Sequence, residues 1–490
     1  MQKLKEALGE LLMSCSGSSP EKMPERVTND SRDASEKSLF CAIKGSLSDG
    51  HNFIKSAISA GSKVIVCEDP QSCNAYNCLC LTVSDSYSAY AKLAEFYQNY
   101  PADKLTLAGI TGTNGKTTTA YLLRSILNSP ETPCGLISTV EYSTGGKVVL
   151  AERTTPDAVE LQKLFSGMND SGCRYGVMEV SSHALDQNRI GSAKFAVAIF
   201  ANLTGDHLDY HNSMESYFQA KKVLFDNHIA DNGYALINID DPFGRKLYDS
   251  YSGSGKAFSY GQDKTADFRI DEISLSVEKT NFTLKLPDND KVQLTSPLCG
   301  RFNTYNIAAA ASAAYLLKIT PSAIQKGIAD MQLVPGRMER CATSPLVFVD
   351  YAHTDDALEN ILSTVSELLG SRTLTVIFGC GGDRDRTKRA RMGAVAAKFA
   401  DKIVVTSDNP RTEDPDAIIK EIISGIPDNS DCMVISDRAE AIETAIKNAC
   451  KNDVIVIAGK GHENYQEING QKYPFDDRET VCKYIHSENK

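Results

Sequence analysis

The chain changes its hydrophobic rhythm several times, and each change predicts a boundary. Residues 39–43 and 64–67 are short apolar runs that read as strands. Between them Ile54, Ala57 and Ile58 recur at helical spacing within 52–61, which predicts one small α/β unit. A helix is predicted over 89–97, ending near Pro101, where a second region opens. Apolar runs at 105–110, 175–180 and 195–203 are each followed by glycine or polar residues, the pattern of parallel strands whose carboxyl ends face a ligand. Between 258 and 298 the pattern becomes alternating, through Phe268, Ile270, Ile273, Phe282, Leu284, Leu286, Val292 and Leu294, and predicts antiparallel strands. An alanine-rich helix follows at 306–317. Pro335 and Gly336 interrupt the periodicity, and apolar runs at 347–350, 374–378, 402–406, 434–435 and 454–457 predict a third α/β region. The expected organisation is α/β in three domains, 1–100, 101–333 and 334–490.

A length of 490 residues exceeds what one core supports, and 42% apolar residues suffice to fill several. The net charge of −11, without a long basic run, excludes nucleic acid as an expected partner and implies that positive charge is gathered in pockets for small anions. No run of 18 or more apolar residues occurs, and the first fifteen residues lack a secretory pattern, so a cytoplasmic monomer with no transmembrane segment is expected. Fourteen cysteines are spread from Cys15 to Cys482 without CxxC pairs, in agreement with a reducing compartment. Cys78 and Cys80 flank Leu79 in an apparent strand, a spacing that reads as core packing rather than as a zinc site.

The chemistry starts at LTLAGITGTNGKTTT, residues 105–119. An apolar strand, a turn containing Gly112 and Gly115, and a helix bring successive N–H groups and a helix N-terminus to one point. Lys116 adds a mobile positive charge, and Thr117 a hydroxyl where a phosphate-bound Mg²⁺ would sit. The usual first glycine of such a loop is replaced by Ile110, with Gly109 beside it. Glu179, His183, His207, Asp209, His211 and Lys221 form a second polar set near strand ends, with oxygen and nitrogen atoms suited to phosphate or metal. In the third region Arg384, Arg386, Lys388, Arg389 and Arg391 follow GCGGD, and Asp408-Asn409-Pro410-Arg411 is a stiff turn carrying both charges. An arginine held there can grip a carboxylate while Asp408 receives an ammonium, which suggests an amino-acid pocket. A phosphate loop, a metal set and an amino-acid pocket together imply activation of a carboxylate by phosphoryl transfer, followed by attack of an amine.

Eleven motifs then stand in a familiar order: GITGTNGKTTT at 109–119, ERTTPDA at 152–158, MEVSSHALDQNR at 178–189, NLTGDHLDYH at 202–211, AKK at 220–222, GRFNTYN at 300–306, PGRME at 335–339, DYAHTDDALE at 350–359, GCGGDRDRTKR at 379–389, DNPRTEDP at 408–415 and GKGHE at 459–463. In these the chain resembles the Mur ligase family over almost its full length, including its form of the phosphate loop. The resemblance implies an N-terminal UDP-binding domain, a central P-loop parallel-sheet ATPase domain and a Rossmann-like C-terminal domain that binds an amino acid. It implies ATP-dependent addition of meso-2,6-diaminopimelate to UDP-N-acetylmuramoyl-L-alanyl-D-glutamate through an acyl phosphate, in peptidoglycan precursor synthesis. Addition of lysine is the alternative.

Residue by residue, the resemblance implies that Gly112, Thr113, Asn114, Gly115, Lys116, Thr117 and Thr118 hold ATP phosphates, with Asn303, Arg337, Asp350 and His353 around the rest of the nucleotide. Asn29, Ser31, Ser46, Leu47 and Ser48 would receive the uridine end, and Arg153, Thr154, Thr155, Ser181, Gln187 and Arg189 the muramoyl dipeptide. Thr117 and Glu179 would serve one Mg²⁺ and His207 a second, beside Lys221 carried as a CO₂-derived N6-carboxylate. Lys116, Lys221 and His207 would be catalytic. Arg384, Asp408, Asn409, Pro410, Arg411, Gly459 and Glu463 would receive diaminopimelate. One departure is Asn212 after DYH, where the family commonly has glycine.

Overall fold

Alternation decides which face of each strand meets which core, and the first sheet shows it plainly. In the computed structural model, which describes residues 2–45, 48–74, 76–276, 279–331 and 333–488 apart from the side chains of 209 and 486–488, this sheet has the order Leu12–Ser16, Leu79–Val83, Val64–Cys67, Ser38–Cys41, Arg26–Thr28. The first pairing is antiparallel and the other three are parallel. Leu39, Cys41, Val64, Val66, Leu79, Leu81 and Val83 face a core shared with Leu4 and Leu8 of the helix Gln2–Leu8 and with Ala89, Leu93 and Ala94 of Ser86–Tyr97. The residues between them, Phe40, Ile65, Cys67 and Cys80, face a second core with Ile54 and Ala57 of the helix Ile54–Ser59. A strand buried on both faces is apolar throughout, as parallel strands are.

The chain divides into two compact units, one of Met1–Thr111, Leu127–Phe200 and Phe218–Ala235, the other of Gly112–Ile126, Ala201–Tyr217 and Leu236–Lys490. The first unit contains the sheet above and a second with the order Phe195–Phe200, Thr106–Thr111, Tyr175–Glu179, Cys134–Ile137, Glu141–Ser143, Val148–Leu150. Its first three pairings are parallel, and the last two make an antiparallel extension. In the second unit Ala257–Gly261, Phe268–Leu275, Thr280–Lys285 and Lys291–Ser296 lie side by side. The first of these pairings is parallel, where alternation predicted antiparallel strands throughout, because a period of two fixes faces and not direction. The helix Arg301–Leu316 packs on them.

The third sheet, also in the second unit, runs Glu339–Thr343, Leu346–Asp350, Val454–Ala458, Leu374–Phe378, Lys402–Val405, Cys432–Val434, all parallel except the first pair. One face meets the helices Asp355–Leu369, Thr387–Phe399 and Pro415–Ile423 through Leu358, Leu362, Met392, Ala396 and Ile422. The other meets Arg438–Lys447 and Asp477–Glu488 through Ile442, Ile446 and Val481. The expected mixed α/β class with several sheets is therefore present. Among the described residues no helix is long and apolar enough to cross a membrane.

One ion pair fixes the ligand edge of the third sheet from behind. Arg438 and Asp477 are both fully buried, with Nε to Oδ1 at 2.7 Å and Nη2 to Oδ2 at 2.8 Å. The same guanidinium donates to Ala458 O at 3.0 Å and Ser407 O at 3.4 Å, carbonyls where two strands end. Replacing Asp477 by alanine strands a buried cation, so Asp477→Ala should lower the unfolding free energy by about 3–5 kcal/mol in a urea titration. An unchanged midpoint and slope would show that the pair does not hold this edge.

Candidate active site

Parallel register sets the first group of residues. Ile110 stands beside Glu179 and Thr111 beside Phe200, and beyond those strand ends the chain enters 112–115, 180–181 and 201–207. In the second unit the loop 112–115 is held by named partners. Thr113 N–H donates to Asn202 O at 3.0 Å, and Asn114 N–H to Asn202 Oδ1 at 2.8 Å. Asn114 Nδ2 donates to Asp356 Oδ2 at 2.8 Å and to Thr204 Oγ1 at 3.3 Å. Gly115 has φ +82°, and a Cβ there would run into Asn306 Oδ1, so this turn requires glycine. Asn306 in turn donates to Asn303 Oδ1 at 3.0 Å. Lys116 Nζ donates to Gly112 O at 3.0 Å and Thr113 O at 2.8 Å, which folds the ammonium over the loop at the start of the helix Lys116–Leu127. Oriented N–H groups, a helix N-terminus and a lysine make a cradle for phosphate oxygens.

Arg337 reaches this cradle, donating from Nη2 to the buried Thr117 hydroxyl at 3.4 Å while its guanidinium lies 4.8 Å above the Tyr351 ring. Asp350 holds the backbone on either side of that contact. Its Oδ2 accepts Met338 N–H at 2.6 Å and its Oδ1 accepts Ala352 N–H at 2.7 Å. Burial pushes the Asp350 carboxyl up to about 6, against the pull of Arg337 and the two N–H donors. His353 Nδ1 is 2.8 Å from Tyr351 O, and the His353 carbonyl accepts Lys388 Nζ at 2.7 Å.

In the first unit a hydrogen-bonded network collects most of the residues expected around the muramoyl dipeptide. The fully buried Glu179 carboxylate accepts Thr139 N–H at 2.8 Å and the Thr139 hydroxyl at 3.1 Å. Thr154 Oγ1 lies 3.1 Å from Thr139 Oγ1 and can donate to it. Thr155 Oγ1 donates to Glu179 O at 2.8 Å and accepts Ser181 N–H at 3.0 Å, and Ser181 caps the helix Ser182–Asp186. Arg189 donates to Thr155 O at 3.1 Å and to Gln187 Oε1 at 2.9 and 2.6 Å. Both N–H and carbonyl of Arg153 bond to Tyr142 OH. Asn29 stands apart from this network, accepting Tyr90 OH at 3.4 Å, and Ser31 and Ser48 contribute their carbonyls to local turns. Ser46 and Leu47 lie outside the described residues. Lys221 is 1% exposed within the helix Met214–Asn227.

The third group lies at the carboxyl edge of the last sheet. Asn409 donates to Glu463 Oε2 at 2.8 Å and accepts Glu467 N–H at 3.0 Å. Lys460, fully buried, bonds Asn409 Oδ1 at 3.0 Å and Glu463 Oε2 at 3.1 Å. Pro410 precedes Arg411, which has φ +51° and donates from Nε to Glu467 Oε2 at 3.2 Å and from Nη1 to Gly382 O at 2.7 Å. Gly459 has φ +116° and lies against Asp408, where a Cβ would collide with the carboxylate. Arg384 is exposed on the loop after Phe378. Two arginines of the helix that follows, Thr387–Phe399, are structural: Arg389 is buried between Glu413 and Glu421, and Arg391 pairs with Asp355. The Arg389 guanidinium holds the Glu413 carboxyl down to about 2.

Four supporting residues were not singled out from the sequence. Lys460, Asp356 and Asn202 each stand inside a quoted motif, where a polar residue following an apolar strand was the available signal. Thr139 had none, since nothing local ties it to Glu179. Asn212 takes φ +63° as the cap of Leu208–His211, so asparagine supplies the left-handed turn expected of glycine there. Each Glu179 oxygen accepts one hydrogen bond and retains a further lone-pair direction, which fits a hard cation such as Mg²⁺. The buried Thr117 hydroxyl carries an oxygen of the same kind in the second unit, where His207 Nε2 lies 3.4 Å from Asp206 Oδ2.

Comparisons with known proteins agree with this chemistry. Three family models match in order: the Mur ligase family catalytic domain at 25–98, the Mur ligase middle domain at 110–314 and the Mur ligase glutamate ligase domain at 336–461. UDP-N-acetylmuramoyl-L-alanyl-D-glutamate–2,6-diaminopimelate ligase of Cytophaga hutchinsonii is 42% identical over 466 residues, covering 94% of each chain. The ligase of the same name from Gloeobacter violaceus is 44% identical over 457 residues, covering 92% of each. A solved structure of a ligase of that name superposes with a TM-score of 0.70 at 31% identity over 99% of both chains. A MurF structure from Acinetobacter baumannii, at 20% identity and a TM-score of 0.64, shares the fold. With this similarity running through all three matched segments, the chain belongs to the Mur ligase family.

Proposed function

We propose that the protein joins meso-2,6-diaminopimelate to UDP-N-acetylmuramoyl-L-alanyl-D-glutamate in cytoplasmic peptidoglycan precursor synthesis, with ATP converted to ADP and phosphate. The observation that carries this reading is the full-length similarity to ligases of that name, 94% of each chain in the first comparison. In this reading 1–100 binds the UDP moiety, 101–333 is the P-loop ATP-binding domain, and 334–490 is the Rossmann-like domain that receives the amino acid.

The D-glutamyl carboxylate attacks the γ-phosphorus of ATP, giving an acyl phosphate and ADP. The amine of diaminopimelate then attacks the acyl carbon, and phosphate leaves. Gly112 to Thr118 hold the phosphate oxygens through backbone N–H groups, and Lys116, displaced from the Gly112 and Thr113 carbonyls by the incoming anion, stabilises charge as the γ-phosphoryl group transfers. Arg337 and His353 contact the nucleotide, while Asn303 and Asp350 position the elements beside it. Glu179, Thr117, His207 and a carbamylated Lys221 are the residues that would hold Mg²⁺, which would supply neutralisation of phosphate charge. Carbamylation joins the lysine amine to CO₂ with loss of a proton. It turns a buried cation into an oxygen donor.

Selection of the amino acid rests on the distal end of the substrate. Diaminopimelate carries a carboxylate there that lysine lacks. Arg411, its Nε and Nη1 already fixed by Glu467 and Gly382, presents Nη2 to that carboxylate, with Arg384 on the neighbouring loop. Asp408 and Glu463 receive the ammonium, and Asn409 orients Glu463 through its amide N–H.

Purified protein supplied with ATP, Mg²⁺ and the UDP-muramoyl dipeptide should ligate meso-diaminopimelate with kcat/KM at least about tenfold above that for L-lysine, the effect of one unfilled charge-assisted hydrogen-bonding arrangement. Equal or reversed preference would overturn the substrate assignment. Lys116→Ala should reduce kcat by about 10²–10³ at saturating substrates, read as ADP release. Lys221→Ala should lose most turnover and regain part of it with added short carboxylates. Rescue by ammonium compounds instead would contradict an anionic role.

A further inference from the structure

The second face of the N-terminal sheet collects sulfur. Four of the chain's cysteines, Cys67, Cys73, Cys78 and Cys80, are among the nine buried residues of that core, each no more than 4% exposed. Cys67 ends the strand Val64–Cys67 and Cys80 lies in Leu79–Val83, on the neighbouring strand and the same face. Cys73 ends the short 3₁₀ helix Pro70–Cys73, which is capped by Asp69 and carries that thiol back over the strands. Cys67 Sγ is 3.4 Å from Cys80 Sγ and 3.9 Å from Cys73 Sγ, and the three sulfurs all lie within 4.8 Å of one another. Cys78, two residues before Cys80, belongs to the same buried core. All four are free thiols.

Core packing accounts for apolar neighbours around a cysteine, but it does not require sulfurs from three separate elements to meet. Thiolates at about 2.3 Å from a tetrahedral zinc ion stand about 3.8 Å from one another, close to the separations of Cys67 from Cys80 and from Cys73. Buried thiolates also need hydrogen-bond donors around them. The Thr82 hydroxyl is 4.0 Å from Cys80 Sγ, and Ser16 is paired with Cys80 on the adjacent antiparallel strand. The spacing C-x5-C-x4-C-x-C departs from the paired CxxC pattern, which is why Cys78 and Cys80 read as packing when taken along the chain alone.

We propose that Cys67, Cys73, Cys78 and Cys80 form a structural thiolate site for a soft d¹⁰ cation, Zn²⁺, that ties the segment between the two strands to the N-terminal sheet. None of the four is among the residues assigned above to nucleotide, dipeptide or amino acid. Binding replaces thiol protons by the metal, with release of those protons and no change of oxidation state.

The full-length protein, prepared under reducing conditions with zinc supplied, should retain about one zinc per chain through gel filtration, measured by inductively coupled plasma mass spectrometry. Cobalt(II) added to zinc-free protein should give a thiolate-to-cobalt charge-transfer band and the visible bands of a tetrahedral ion. Cys73→Ser and Cys80→Ser should each lose both signals, and a thiol-competing chelator should lower the melting temperature of the unaltered protein but not of Cys73→Ser. Should Cys80→Ser fail to fold, Cys73→Ser on the surface-side turn and the cobalt spectrum of the unaltered protein carry the test. Protein that keeps less than about a tenth of an equivalent of zinc and gives no charge-transfer band while all four thiols remain reduced would overturn the site. So would isolation of a Cys67–Cys80 disulfide as the native form.

Discussion

A carboxylate removed from water must be met by donors, and in this protein Asp350 turns that requirement into architecture. Its two oxygens take the N–H groups of Met338 and Ala352, one on the segment entering the third sheet and one on the segment leaving its strand end. With both segments tied to one side chain, Arg337 is aimed at Thr117 and stacked over Tyr351, and Gly336 is brought against Gly461 and His462. Burial raises the carboxyl to about 6, well above its ordinary value. Ionisation there opposes folding as pH rises from the ordinary carboxylate range toward 6, and the protein retains the group because a neutral residue would leave two buried N–H donors without acceptors.

The same economy of partners recurs at Glu179 and at Asn409. Each is a buried polar group whose atoms are satisfied by residues distant in the chain, and each thereby fixes several neighbours. Glu179 binds Thr139 and, through its carbonyl, Thr155, which orders Ser181 and Arg189. Asn409 gathers Lys460, Glu463 and Glu467. Side chains held by such networks do not need to reorganise when charge develops on a substrate, which is the condition for electrostatic catalysis.

Strand–loop–helix units around 105–126 and through the third sheet are legible in the sequence because buried parallel strands are apolar throughout and end in glycine and polar residues. The extension Glu141–Ser143 and Val148–Leu150 is not, since its last strand is exposed and carries no alternation. Candidate chemistry is legible where a motif concentrates it, as at Lys116 and Arg411. Its supports are not: Asn114 is held by Asp356 across 242 residues, and no local pattern predicts that pairing. The cysteine face shows the converse case, in which residues with an unremarkable spacing meet once the strands are aligned.

Arg411 is held by more than its side chain. Its N–H donates to Glu467 O at 3.0 Å and its carbonyl accepts Asn469 N–H at 2.7 Å, so the residue forms a one-residue bridge beside the hairpin of Tyr465–Ile468 and Gln471–Pro474. The hairpin turns through Asn469 and Gly470, both at positive φ, as a tight two-residue connection demands. The direction of one guanidinium is thus written in two stretches of chain 56 residues apart. A change of length or register in the hairpin would redirect the Arg411 side chain with Arg411 itself untouched. Under the role proposed for Arg411, the choice of amino acid could therefore shift through the hairpin alone, with the sequence 408–411 unchanged.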